Sequence, residues 1–341
     1  MQIRPATDQD QPAWDNYVQG HQAGTIFHLA AWQQVVVTAF RHQNLSLLAE
    51  DKGQIVGVLP LLELKSQLFG HSLCSLPFAE KGGVLADSAE VEKALVDKAT
   101  SLAHELGCDY LELKNTQPVE GLVTKDLYYN FSKQLLPEVE DNLLAIPRKS
   151  RAAVRKGIKS GLSASFGEHE FDTFYEIMAR SYHSLGTPIF PQRYFYNFLK
   201  IFKNRADLLI VRSAEKKPIA AVLSLYFKNR IMPYYAGSLP GYRQLCPNDF
   251  MYWELMKHGL EQGYSIFDYG RSKIDTGSYS FKKHWGFEPE PLAYQYQLIN
   301  SNELPNLSPA NPKYKRKIEM WRKMPFALTK ILGPPLAKYL G

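Results

Sequence analysis

The sequence predicts a mixed α/β chain built from two tandem copies of one module, followed by a basic helical tail. Three observations carry this reading. Residues 49–61 (AEDKGQIVGVLPL) and 213–225 (SAEKKPIAAVLSL) read as the same strand–turn–strand unit, a charged turn followed by β-branched and aliphatic residues in alternation. Residues 104–115 (HELGCDYLELKN) match 260–271 (LEQGYSIFDYGR), each a helix running into a strand. Gly107 and Gly263 stand at the helix ends, where left-handed backbone is needed. After about residue 300 the composition changes to a turn-rich stretch, NSNELPNLSPANP, and then to a cationic amphipathic pattern.

Taken in order, each module opens with helices. Residues 8–20 and 29–40 have helical periodicity, with Asp8 as the expected N-cap before Pro12, Trp14 and Tyr17. Asp172–Ser184 and Gln192–Phe202 occupy the same place in the second module. Between the halves runs a basic segment from Pro147, suited to a first helical turn, to Gly161, suited to a stop. The expected division is a first domain over 1–145, a second over 146–300 and a tail over 301–341.

A chain of 341 residues, 45% hydrophobic and 22% charged, is long enough for two ordinary cores. Cys74, Cys108 and Cys246 lie far apart with no ligand spacing, which argues for a reducing compartment and against a metal site. The N-terminus has no apolar signal core, and the longest apolar run, Ile55 to Leu62, is too short to span a bilayer. A cytoplasmic protein is expected. The tail carries Lys313, Lys315, Arg316, Lys317, Arg322, Lys323, Lys330 and Lys338 against Glu303 and Glu319, which accounts for the whole net charge of +6. No HExxH, GxSxG, Walker or GxGxxG element is present, so protease, esterase, kinase and dehydrogenase readings are poor.

Three stretches carry a family resemblance. They are the basic helix SRAAVRKGIKSGL (150–162), then LPGYRQLCPNDFMYWELMKHGLEQG (239–263), then FDYGRSKIDTGSYSFKKHWGFEP (267–289), with GTPIFPQRYF (186–195) and PYYAGSLP (233–240) adding to them. In order and spacing the chain resembles the FemAB branch of the Gcn5-related (GNAT) acyltransferases, in particular FemAB-like proteins associated with exosortase (PEP-CTERM) and exopolysaccharide systems. The resemblance implies two acyltransferase-like domains with most of the site in the second. It also implies transfer of an aminoacyl or other acyl group to an amino group of a cell-envelope or exopolysaccharide precursor. The implied acceptor is cell-envelope, sugar-nucleotide or lipid-linked. The donor would be a co-substrate, either aminoacyl-tRNA or an acyl thioester, with no tightly bound cofactor, no metal and no DNA partner.

Acyl transfer to an amine needs the acceptor held against the carbonyl, a stabilised oxyanion and a proton acceptor. By the resemblance Lys282, beside Phe281, supplies charge at the reacting carbonyl. Strand alternation places Asp268 on the apolar face with Tyr264 and Ile266, which makes it a candidate base with Arg271 as its partner. Glu112 at the matching place in the first repeat favours a scaffold role instead. Arg271 is a candidate phosphate or carboxylate binder. Tyr234 and Tyr235 face opposite ways, so one is expected to pack while the other contacts substrate. Asn248 and Thr187 are further candidate contacts, Asn248–Asp249 mainly as a helix cap.

Acyl-CoA members of the resembled family cradle pyrophosphate on a glycine-rich turn. Here the turn from Arg243 to Asn248 lacks both glycines, and Pro247 removes a donor. Arg151 and Arg155 share a face with Arg148 and Lys159. Six cations without an acid from 148 to 159 suit a phosphate-rich ligand such as charged tRNA. Val154 and Ile158 would form the narrow apolar stripe of that helix. In the tail, Trp321 beside Arg322 and Lys323 suits the headgroup zone of an anionic membrane, and packing on the second domain is the alternative. A non-catalytic, membrane-docked scaffold of an exopolysaccharide or sorting system is the competing function.

Overall fold

The computed structural model describes residues 1–66, 69–305 and 312–339, without the side chains of residues 312 and 313. The first half runs β1 (Gln2–Pro5), α1 (Gln11–Gly20), α2 (Ala30–Phe40), β2 (Gln43–Asn44), β3 (Leu47–Asp51) and β4 (Gln54–Leu59). It continues through β5 (Leu62–Ser66), β6 (Gly70–Cys74), β7 (Leu85–Ala86), α3 (Ala89–Glu105), β8 (Tyr110–Asn115), β9 (Val123–Lys125) and β10 (Tyr128–Gln134). Next come α4 (Val139–Ala145), α5 (Arg148–Lys159), β11 (Ser163–Phe166), α6 (Phe171–Leu185), α7 (Gln192–Phe202), β12 (Ala206–Arg212), β13 (Pro218–Phe227) and β14 (Arg230–Ser238). The chain finishes with α8 (Pro247–Glu261), β15 (Ile266–Lys273), α9 (Gly277–His284), β16 (Pro289–Pro291), β17 (Ala293–Leu298), α10 (Pro312–Lys323) and α11 (Phe326–Ala337).

The repeat is real in three dimensions. The hairpins β3–β4 and β12–β13 are both antiparallel, and each has a register shift next to its turn. In each half a long helix enters a strand that pairs in parallel with an earlier one, α3 into β8 against β6 and α8 into β15 against β14. Gly107 (φ +68) and Gly263 (φ +83) take the left-handed backbone that ends these helices without Cβ strain. Helix α3 begins at Ser88, whose hydroxyl accepts from Val91 N, and buries Val91, Leu95, Ala99 and Ala103 at helical spacing against Leu111 and Leu113 of the sheet.

The chain divides into two compact units, and they do not follow the sequence boundaries. One comprises Met1–Tyr128, Pro291–Leu307 and Lys338–Gly341; the other comprises Tyr129–Glu290 and Ser308–Ala337. The halves have exchanged a strand. β17, late in sequence, pairs antiparallel with β8 in the six-stranded sheet β2-β5-β6-β8-β17-β9 of the first unit. β10, from the first half, lies beside β15 in the seven-stranded sheet β11-β12-β13-β14-β15-β10-β16. The first unit also holds the small sheet β1-β3-β4-β7.

Three local expectations need correction. Asp8 does not cap α1. A single 3-10 turn, Asp8–Asp10, precedes the helix with Thr7 as its cap, and Asp10 accepts from the Thr7 backbone N–H while pairing with Arg4 at 2.7 Å. The buried line of α5 is Ser150, Val154 and Gly157, whereas Ile158 is 48% exposed. Gly157 is needed there because a Cβ would meet Phe250 of α8 at 2.8 Å. Finally, Trp321 is buried, so it is not available to a headgroup layer. The tail packs within the second unit: His183 bonds Met324 O at 3.1 Å, Arg322 bonds Leu185 O at 3.1 Å, and Ile318 sits against Gly186.

Candidate active site

The site begins with two strands that part. β14 and β15 run parallel but pair only at Arg230↔Ile266 and Ile231↔Phe267. Beyond those two pairs the strands continue to Ser238 and Lys273 without pairing with each other. Along β14 the register jumps from Leu223↔Tyr235 to Ser224↔Pro233, so Tyr234 is an extra residue in the strand. Such bulges re-aim side chains next to sites.

A cavity of about 450 Å³ lies at the far end of β14. Its walls include Ala236, Gly237 and Ser238 of β14, Ser181 and Ser184 of α6, Arg243, Asn248, Asp249, Tyr252 and Phe281. The first turn of α8 points its positive dipole end here. Its cap, Cys246, adopts φ +55, the conformation a glycine would supply more cheaply. Pro247 occupies the first helical position, where an N–H has no helical partner in any case.

Asp249 is the carboxylate of this wall. Burial pushes its carboxyl above the usual carboxylate range, and the Trp285 indole N–H, donating at 3.0 Å, partly opposes that. Tyr252 beside it has its hydroxyl pKa raised by burial and by the Asp249 charge. Burial pushes the Cys246 thiol up, and the charge of Lys156 on α5 partly opposes that. A larger cavity of about 710 Å³ opens at the other end of the same sheet against Asp207, Tyr226 and His258. It lies away from the parted strands, and the smaller one is the better candidate because a helix N-terminus, Arg243 and a carboxylate converge on it.

Of the residues the sequence singled out, Asn248 and Phe281 line this cavity. Lys282, next to Phe281, turns the other way. Its ammonium is buried and donates to the carbonyls of Tyr269 (2.8 Å), Gly270 (2.9 Å) and Arg271 (2.9 Å), holding the end of β15 where Gly270 takes φ +65. Asp268 is 2% exposed, accepts from Gly270 N at 3.0 Å and lies 3.5 Å from Arg230. Its counterpart Glu112 is likewise tied down, accepting from the Tyr296 hydroxyl at 2.7 Å and the Cys74 thiol at 3.2 Å. Both acids hold their sheets. Arg271, within β15, is partly exposed.

Tyr234 and Tyr235 do not face opposite ways: the bulge at Tyr234 brings their rings to 4.8 Å of each other, and both meet Phe198. The Tyr235 hydroxyl also meets that of Tyr194 at 2.8 Å, and its ring stands edge-on to Phe195. Thr187 bonds Tyr182 O through its backbone N–H at 2.9 Å, at the end of α6. Arg151 donates to Leu144 O at 2.6 Å, while Arg155 is exposed on α5. Sequence reasoning missed Arg243, Asp249 and Tyr252 as a cluster. Asp249 had been assigned to capping, and only Trp285, distant in sequence, reveals its other use.

The family model for the acetyltransferase (GNAT) domain matches residues 148–283. This segment is a GNAT acyltransferase domain. Lipid II:glycine glycyltransferases of two Staphylococcus epidermidis strains are 25% identical to the chain over 132 residues, a match covering 34% of this chain and 32% of theirs. The match thus spans about a third of those curated relatives. Among solved structures, FemX aligns over 93% of this chain and 99% of its own with a TM-score of 0.67 and 16% identity. A tandem GNAT protein from the clavulanic acid biosynthesis pathway aligns over 86% and 97%, with a TM-score of 0.56 and 12% identity. These likenesses establish tandem GNAT-like modules, with the parted strands inside the GNAT domain.

Proposed function

We propose that the protein is an N-acyltransferase of FemAB type, moving an aminoacyl or other acyl group onto an amino group of a cell-envelope precursor. The observation that carries this is the cavity at the end of β14, closed by the first turn of α8 with the raised-pKa carboxyl of Asp249 in its wall. An acyl carbonyl lying against the open edge of β14 would find backbone N–H groups for its developing oxyanion. Asp249 would take a proton from the acceptor's ammonium, so that the freed amine attacks the carbonyl and the donor's ester oxygen or thioester sulfur departs, a task favoured by a pKa raised above the ordinary carboxylate range. Arg243 and Asn248 would hold the anionic portion of the donor at the helix end. Lys282 then acts as a positioning residue, since its three N–H groups hold the strand end next to Phe281.

The glycine-free turn offers few backbone donors for a pyrophosphate, and α5 carries six cations, of which Lys156 acts electrostatically on Cys246 of the cavity wall. Both features favour a polyanionic donor such as charged tRNA over an ordinary acyl-CoA. The glycyltransferase relatives act, by name, on lipid II, which makes a lipid-linked amine a reasonable acceptor class. The relatives named above include no exosortase- or exopolysaccharide-associated protein, so that narrower assignment lacks support. The test is mass-spectrometric detection of acylated product after incubating purified protein with amine-bearing precursors and either charged tRNA pools or acyl-CoAs. No product with either donor, under conditions where the folded protein binds the precursor, would favour a scaffold.

A further inference from the structure

The two tail helices sort their side chains onto opposed faces. On α11, Thr329, Gly333 and Ala337 are buried, and a Cβ at Gly333 would lie 3.0 Å from the Ile189 backbone, so this face sits tightly on the loop after α6. Lys330 donates to Glu176 at 2.9 Å, and the Arg180 guanidinium lies 4.6 Å above the Phe326 ring. The opposite face carries Leu328 (41% exposed), Ile331 (71%) and Leu332 (39%), whose spacing makes one continuous apolar strip. On α10, Trp321 is buried while Met320 is 61% exposed, and Lys315, Arg316, Lys317, Arg322 and Lys323 are exposed with Glu319 as the lone acid.

Folding accounts for the inward faces and not for the outward ones. We propose that the outward strip of α11, together with the exposed cations of α10, seats the protein on the surface of an anionic lipid bilayer. The apolar side chains enter the headgroup–acyl boundary while the cations meet lipid phosphates. Among the described residues no helix is long and apolar enough to cross a membrane, so the contact is superficial. Charge decides between a bilayer and a second copy of the chain. Two copies meeting symmetrically through this strip would bring like cations together, whereas an anionic surface neutralises them. Membrane seating of this kind does not require the proposed reaction.

The test is flotation of the full chain with phosphatidylcholine vesicles, with and without phosphatidylglycerol. Binding is expected only with the anionic lipid, and it should weaken steeply with salt. Ile331→Ser with Leu332→Ser should weaken binding by on the order of 10²-fold, from the lost apolar burial. Lys315→Gln with Lys317→Gln should weaken it by about 25-fold, near fivefold per cation. All four positions are exposed, so melting temperatures should be unchanged. Absence of flotation at low salt, or equal flotation of the variants, overturns the proposal. So does a concentration-dependent dimer that the serine pair abolishes without any lipid binding.

Discussion

Asp249 accepts the indole N–H of Trp285 at 3.0 Å, which ties the first turn of α8 to the residue ending α9. The bond orients a carboxyl that burial has already pushed above its usual range. Replacing Asp249 by Asn keeps an acceptor for Trp285 and removes the base. Turnover should fall by roughly 10²–10⁴-fold, with substrate binding little changed. Steady-state kinetics showing equal loss in kcat and kcat/KM would fit this role, and full activity would remove Asp249 from the chemistry.

The same carboxyl predicts a pH dependence with a definite sign. A base works when deprotonated, so kcat/KM should rise with pH through an inflection above the ordinary carboxylate range. The Asn variant should lack that limb. Stability runs the opposite way. The folded state binds this proton more tightly than the unfolded state, so ionisation costs stability above the folded pKa, and the cost is relieved as pH falls through it. The Asn variant should therefore melt higher than wild type at neutral pH, the gap closing on acidification. Thermal melts across that range decide the matter.

Lys282→Ala would leave the carbonyls of Tyr269, Gly270 and Arg271 without their ammonium donor. An orphaned buried acceptor costs about 1–3 kcal/mol, so a loss of about 3 kcal/mol is expected in urea unfolding. A variant that unfolds at the wild-type midpoint yet is catalytically dead would restore the lysine to the reacting carbonyl.

Gly157→Val should push α5 away from α8, because the added carbons enter space held by Phe250. Overpacking of this kind costs about 1–3 kcal/mol. The displaced helix should also weaken donor binding, measurable by titration under conditions where the variant remains folded.

Arg155→Glu and Lys156→Glu test whether the mouth of the cavity reads a polyanion. With charged tRNA as donor, each reversal should weaken binding and flatten its salt dependence, since fewer counterions are released. Affinity independent of salt in the wild type would point to a small uncharged donor instead.

The module repeat was legible because its signals are local. A turn with Gly53 or Lys216, a helix stop at Gly107 or Gly263, and alternating aliphatic residues each announce themselves within a dozen positions. The strand exchange was not legible, because YYNFSKQ of β10 has the same alternating pattern whichever sheet receives it. The site shows the same division. Phe281 and Asn248 lie in motifs that read directly, whereas the pairing of Asp249 with Trp285 depends on how α8 and α9 meet. Lys282 stands at a motif position, but the direction of its side chain is set by three carbonyls that sequence cannot place. Trp321 looked like an interfacial residue because it neighbours cations, and only the packing of α10 on α6 shows it turned inward.

The exchange of β10 and β17 bears on how the chain is made. During synthesis β8 emerges long before β17, its antiparallel neighbour, so the first sheet waits with an open edge while the whole second sheet is being produced. Pairings this distant in sequence form slowly, and an unpaired edge is prone to sticking in the meantime. Cutting the gene between the halves should therefore yield two insoluble fragments rather than two domains. Co-expressing them should recover soluble protein only when each fragment carries the strand that its partner lacks.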